Sequence, residues 1–150
     1  MRIGKRLAID VGTKRIGLAT SDPQGILATP LATVGSLAEV QEFLTDDLLE
    51  IYIGLPINLQ GKTTASTALA IEFGLELAAL TKVPIRYIDE RLTTALVNQQ
   101  LRQIGKSQKQ ARGSVDQMSA VLILESALEQ ERRFNAAPGI SIEELEGEHD

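Results

Sequence analysis

Lys5-Arg6-Leu7-Ala8-Ile9-Asp10-Val11-Gly12-Thr13-Lys14-Arg15-Ile16-Gly17-Leu18-Ala19 is the stretch on which the reading of the fold turns. The apolar run Leu7-Ala8-Ile9 leads into Asp10, and the glycine turn Val11-Gly12-Thr13 follows directly. Lys5 to Val11 reads as a buried strand and Arg15 to Ser21 as a second, joined by Gly12-Thr13-Lys14. An acid at the end of a buried strand costs desolvation free energy unless something compensates it, and a metal ion or a phosphate-handling site would do so. The plainer reading is an Asx-type turn in which Asp10 caps its own loop. Glu90 and Asp116 also lie at the mouths of apolar segments, so function depends on whether the three acids meet.

Outward from this stretch, Asp22-Pro23-Gln24-Gly25 is a strong turn signal, and Ile26 to Val34 reads as a third strand interrupted at Pro30. Three sequential strands with tight turns predict an antiparallel meander. The period then changes: Leu37, Val40, Phe43, Leu44 and Leu48 recur at helical spacing, with Ser36 as N-cap. Ile51 to Gly54 reads as a short buried strand that ends in the loop Leu55 to Gly61. Ala65 to Leu80 is a long helix that tolerates Gly74 at some cost. Pro84 to Asp89 reads as a strand, Thr93 to Gln103 as a helix, and Gly105 to Gly113 as a basic loop. Ser114-Val115-Asp116-Gln117 has capping-box spacing and opens a helix to about Arg133. These elements predict an α/β domain over residues 1–134, with a mixed sheet of about five strands, the first three antiparallel, flanked by helices. Residues 135–150 are expected to form an acidic, flexible tail.

Composition excludes much. There is no cysteine, hence no disulfide or thiolate zinc site, which fits a reducing compartment. The one histidine, His149, is the penultimate residue, so imidazole catalysis is set aside. No apolar stretch approaches the roughly 20 residues needed to span a bilayer, and the basic start is broken too early for a signal peptide. The net charge of -5 is carried by residues 129–150, which hold seven acids and two basic groups, while residues 1–128 hold thirteen of each. Within that neutral body Arg2, Lys5, Arg6, Lys14 and Arg15 cluster, and Arg102, Lys106, Lys109 and Arg112 form a second basic stretch. Such patches suit a phosphate backbone, or are a solvated surface.

In an α/β sheet ligands gather at the carboxyl ends of strands, where Asp10 and Glu90 both fall. Adjacent strand residues point to opposite faces, so only one of Asp89 and Glu90 can join Asp10, and the pattern does not say which. Asp116 alone is accounted for as an acid in the first turn of a helix. One explanation covers all three. Phosphodiester hydrolysis by two divalent ions needs hard carboxylate ligands from distant segments, and neither histidine nor cysteine.

Four stretches carry a resemblance: Arg6 to Ala19, Gly54-Leu55-Pro56, Asp89-Glu90-Arg91-Leu92-Thr93-Thr94 and Val115-Asp116-Gln117-Met118. In order and spacing, from about residue 5 to residue 130, they resemble the YqgF family of bacterial RNase H-like nucleases, also described as Holliday junction resolvases. Ser119-Ala120 and the Gln60 that precedes Gly61 depart from the usual family pattern without touching the acids. The resemblance implies a RuvC-like RNase H fold, the triad Asp10, Glu90 and Asp116 as catalytic residues and metal ligands, and a nuclease dependent on Mg²⁺ or Mn²⁺. It also implies a cytoplasmic role in maturing the 5′ end of 16S rRNA precursor, with resolution of branched DNA as the alternative.

On this reading Asp10 bridges two ions, Glu90 and Asp116 each complete one side, and the products carry a 5′ phosphate and a 3′ hydroxyl. Lys14, Arg15 and Arg91 hold flanking phosphates, extended by Arg102, Lys106, Lys109 and Arg112. Few aromatics (3%) argue for recognition by backbone and shape rather than by base stacking. A junction resolvase needs a symmetric dimer, whereas a trimming nuclease works as a monomer. Two rivals are a non-catalytic RNA-binding assembly factor and an actin-like or sugar-kinase-type ATPase. The latter carries a second lobe and a second Asp-x-Gly motif, for which this chain is too short.

Overall fold

A computed structural model describes residues 1–57, 60–92 and 112–149. Continuous buried runs build strands β1 (Lys5–Val11) and β2 (Ile16–Ser21), a largely exposed segment forms β3 (Ala28–Val34), and the short helix α1 (Leu37–Gln41) and strand β4 (Leu48–Leu55) follow. Helix α2 (Ala65–Ala78), strand β5 (Ile85–Asp89) and a single 3₁₀ turn over Glu90–Leu92 come next. The chain closes with helix α3 (Arg112–Phe134), strand β6 (Ile140–Ser141) and helix α4 (Ile142–His149).

The six strands form one sheet in the order β3-β2-β1-β4-β5-β6. β1, β2 and β3 pair antiparallel as a meander, β1, β4 and β5 pair parallel, and β6 returns antiparallel to β5. The connection therefore reverses direction at β1, whose neighbours β2 and β4 are reached from opposite sides. A crevice opens at the carboxyl ends of strands at such a switch point. Strand parity assigns the two faces. Leu7, Ile9, Ile51, Ile53, Ile85 and Tyr87 pack with α2 and α4, whereas Ala8, Tyr52 and Ile88 pack with α3 through Ala120, Ile123, Leu124 and Ala127. Asp10, two residues beyond Ala8, shares the α3 face.

Several sequence expectations need correction. β3 is not interrupted at Pro30. It is an edge strand, where proline costs no ladder bond, and the register shift opposite it falls between Leu18 and Ala19. Ser36 does cap α1, its side chain accepting from the Glu39 N–H at 3.3 Å, but the helix ends at Gln41. Phe43 and Leu44 reach the core from the turns that follow, and Leu48 already belongs to β4. Apolar spacing alone did not separate a helix from a turn that buries the same face.

The capping box at Ser114 does not form, because α3 begins at Arg112 and runs through it. Gln117 instead donates from Nε2 to Thr33 Oγ1 on β3 at 3.1 Å. Among the described residues a capping box forms at α2, where Thr64 and Thr67 cap each other reciprocally. The expected helix over Thr93 to Gln103 and most of the loop Gly105 to Gly113 lie outside the described residues.

The tail expected to be flexible carries strand β6 and helix α4 over Ile140–His149. Asn135, at φ 50°, ends α3 in a left-handed conformation, and its N–H donates to Glu131 O at 2.8 Å. Arg86 on β5 then donates to Pro138 O and, at 3.0 Å, to Gly139 O, which brings Ile140 and Ser141 alongside Tyr87 and Arg86. Ile142 and Leu145, one turn apart, are buried in the core. Their helical spacing sits within a run of glutamates that face solvent.

Gly74 has a structural reason beyond tolerance. A Cβ there would stand 2.1 Å from the hydroxyl of Tyr87, which is buried and donates to Ile71 O at 2.9 Å. Gly74→Ala gains up to about 1 kcal/mol of helix propensity, but this overpacking costs about 1–3 kcal/mol. We expect a lower melting temperature, with the loss reduced in Gly74→Ala/Tyr87→Phe, where the clashing oxygen is gone. A thermal double-mutant cycle checks it.

Candidate active site

Asp10 stands at the carboxyl end of β1 and faces α3, half-buried, opposite Gly17 of β2. Gly17 lets α3 lie on the sheet: a Cβ at this position would be 2.1 Å from the backbone oxygen of Asp116. Gly54 does the same on β4, where a Cβ would be 2.6 Å from Glu90 Oε1 and 2.5 Å from Ile123 Cδ1. Two glycines thus form the floor on which Asp116 and Glu90 approach β1. Both lie inside the motifs quoted from the sequence, yet only the packing shows what they make room for.

Parity resolves Asp89 against Glu90. Asp89 continues the Ile85-Tyr87 face and pairs with Leu55, on the side away from α3. It is held by Arg91, which donates from Nη2 at 2.7 Å and from Nε at 3.1 Å. Burial acts to raise the Asp89 carboxyl, but the side-chain and backbone hydrogen bonds of Arg91 hold it below its ordinary value. Glu90 turns to the α3 face, over Gly54.

Burial and neighbouring carboxylates raise two of the three acids. Burial, and then the charge of Asp116, push Asp10 up to about 6. Burial, then Asp10 and then Asp89, push Glu90 up to about 7. Asp10 therefore feels both other acids. Arg15 Nε lies 3.1 Å from Asp116 Oδ2. That N–H does not point at the oxygen, so Oδ2 is shielded from solvent without a hydrogen-bond donor. A shielded carboxylate oxygen lacking a donor, beside two acids with raised pKa values, is the donor chemistry of a hard divalent cation. The residues fit such an ion by type and charge. As the side chains lie, no three acids among the described residues enclose a metal position.

Of the basic residues expected to hold phosphates, Lys14 is exposed in the β1–β2 turn, Arg15 faces Asp116 and Arg91 faces Asp89. Arg102, Lys106 and Lys109 lie outside the described residues, and of Arg112 only its place in α3 is described. Within the amino-terminal basic cluster, Arg2 and Arg6 are not part of a binding patch. Arg6 is fully buried and Arg2 lies across Glu50 and Glu131, in a network the sequence did not reveal.

A sequence model of the RuvX family, described as Holliday junction resolvase, matches residues 4–130. The chain belongs to the RuvX family. RuvX relatives include proteins of Leifsonia xyli subsp. xyli, 45% identical over 95% of this chain and 97% of the relative, and of Clavibacter michiganensis subsp. michiganensis, 44% identical over 93% and 91%. A third, from Streptomyces coelicolor, is 41% identical over 95% and 90%. All three carry the name "Putative pre-16S rRNA nuclease". Among solved structures, T. thermophilus RuvC in complex with Holliday junction substrate superposes with a TM-score of 0.61 at 18% identity, over 90% of this chain and 99% of that one. The RuvX chain thus has the RuvC-type, RNase H-like fold. β6 makes its sheet one strand larger than the sequence implied.

Proposed function

We propose that this RuvX chain is a divalent-metal-dependent nuclease that hydrolyses phosphodiester bonds of structured nucleic acid and matures the 5′ end of 16S rRNA precursor. The observation that carries the reading is the approach of Asp10, Glu90 and Asp116 on the α3 face of the sheet at its switch point, close enough that Asp116 raises Asp10 and Asp10 raises Glu90. The names of the relatives support the substrate, and on this reading the protein would act in the cytoplasm, where such a precursor is processed. Asp10, Glu90 and Asp116 would hold Mg²⁺ or Mn²⁺. When bound, divalent ions supply an acidified water and neutralise charge on the departing 3′ oxygen.

The chain's own residues do the rest. Asp10, on a rigid strand between two paired neighbours, fixes the reference point of the site. The glycine floor sets how closely Glu90 and Asp116 approach it. Lys14 and Arg15, on a turn closed by the Gly12 N–H to Arg15 O bond of 2.9 Å, present positive charge beside the acids, where a scissile phosphate must lie. Arg91, with Arg102, Lys106, Lys109 and Arg112, would continue the phosphate track.

The family's description favours a second reading, resolution of four-way DNA junctions, in which two copies act as a symmetric dimer. The test compares cleavage of a 16S precursor 5′ leader RNA and of a matched four-way DNA junction in Mg²⁺ and in Mn²⁺, with the molar mass measured alongside. The expected result is preferential cleavage of the RNA, to a 5′ phosphate and a 3′ hydroxyl. Preferential cleavage of the junction by a dimer would replace the first reading with the second, and absence of cleavage of both would remove the nuclease assignment.

A further inference from the structure

Arg15 occupies the one acid that the site has to release. Its Nε is 3.1 Å from Asp116 Oδ2, and among the described residues the three acids do not enclose a metal position while this pair stands. Both partners are anchored by backbone. The Gly12–Arg15 hydrogen bond closes the turn that carries Arg15, and a Cβ at Gly12 would be 2.6 Å from Arg15 O. Asp116 sits on α3 where the helix touches Gly17. Only the two side chains are left to move. The contact is a charge pair without an aligned hydrogen bond, and the Arg15 side chain is 47% exposed. Pairs of this kind are weak and readily exchanged.

We propose that Arg15 is a placeholder cation: it neutralises Asp116 in the metal-free protein, and it is released to grip a substrate phosphate when Asp116 turns to a divalent ion. Metal loading and phosphate binding are thereby coupled through one side chain. The free protein keeps its phosphate-gripping guanidinium engaged until the site is charged. This rests on the metal-dependent reading of the site proposed above.

The test titrates Mn²⁺ calorimetrically into the full chain and into Arg15→Gln, Lys14→Gln and Asp10→Asn. Losing the competing pair raises Mn²⁺ affinity of Arg15→Gln roughly three- to five-fold. Lys14→Gln removes the same charge from the same turn without breaking a pair, and its affinity stays closer to wild type. Equal gains in the two variants reduce the effect to net charge and overturn the proposal, as does a weaker or unchanged Arg15→Gln. A second readout follows the Arg15 Nε–H resonance on Mg²⁺ addition. It shifts in the wild type toward the position it already holds in metal-free Asp116→Asn, and an unmoved resonance overturns the proposal. Asp10→Asn separates the two levels: if it binds Mn²⁺ like the wild type, the metal site itself is misassigned and the placeholder falls with it.

Discussion

Asp10→Asn should reduce cleavage by on the order of 10³-fold or more, as expected for loss of a charge on which the reacting phosphate depends. The same change should make the metal-free protein more stable. Asp10 is held at about 6 in the folded state against 3.8 when free, by burial first and by Asp116 second. A carboxyl whose folded pKa is raised binds its proton more tightly in the native state, so its ionisation opposes folding. That penalty is absent below about pH 4, grows as pH rises toward 6, and is complete above it. In EDTA at pH 8, Asp10→Asn should therefore be more stable by about 1–3 kcal/mol, a gain of several degrees. Near pH 4 the two proteins should melt together. Saturating Mg²⁺ should reverse the order, because a ligand that binds only the native state stabilises the protein able to hold it. An Asn variant that melts lower than wild type in EDTA at pH 8 would show that Asp10 is a structural cap, and would count against the site.

Glu131→Ala should destabilise the fold by about 3–5 kcal/mol, a large share of the 5–15 kcal/mol that holds a typical domain together. Glu131 lies on α3 with 3% of its side chain exposed. Its carboxylate accepts from the Arg2 N–H at 3.0 Å, Arg2 Nη2 at 2.7 Å and Arg6 Nη2 at 3.0 Å. Arg6 has no exposure at all, and its other guanidinium bonds go to the backbone oxygens of Gly4 and Arg2, both at 2.9 Å. Removing Glu131 leaves that charge buried without a counter-ion. Arg2 also bridges to Glu50 at 2.7 Å, which accepts the Tyr52 hydroxyl at 2.9 Å, so the network joins the amino terminus, β1, β4 and α3.

Acid should expose the same dependence. Burial acts to raise Glu131, but the hydrogen bonds and charges of Arg2 and Arg6 hold it down at about 2. A depressed carboxyl contributes stability that is complete above about pH 4.5 and lost as pH falls toward 2. Urea melts of wild type should therefore weaken over that interval, and Glu131→Gln should show a shallower pH slope. Parallel slopes would mean that the network is not coupled to folding. Replacing Arg6 and Glu131 together by Met and Leu should cost less than the sum of the single losses, since no charge is then stranded.

How much of this was readable beforehand follows from the range of each interaction. The meander β1-β2-β3, the strands β4 and β5, and helix α2 were legible because their apolar periodicity and turn residues act over a few positions. α1 was read too long because Phe43 and Leu44 bury themselves from turns at helical spacing. β6 and α4 were missed because Ile140, Ile142 and Leu145 matter only once Arg86 has drawn Pro138 and Gly139 to the sheet edge. Arg2 and Arg6 looked like a basic patch, since nothing local tells that Glu131, more than a hundred residues away, will enclose them.

By itself the sequence determined the strand that carries Asp10, the carboxylate-based chemistry left open by a chain with no cysteine and one terminal histidine, and the family, through motifs that survive in order. Residue pattern left Glu90 and Asp89 open and the family motif pointed to Glu90, whereas tertiary structure alone decided that Gly17 and Gly54 are the floor of the site and that Arg15 is already engaged by Asp116. The division is physical. Periodicity and residue chemistry are written along the chain, whereas which face a side chain shares, and which charge lies opposite it, exist only after β1, β4, β5 and α3 have been brought together.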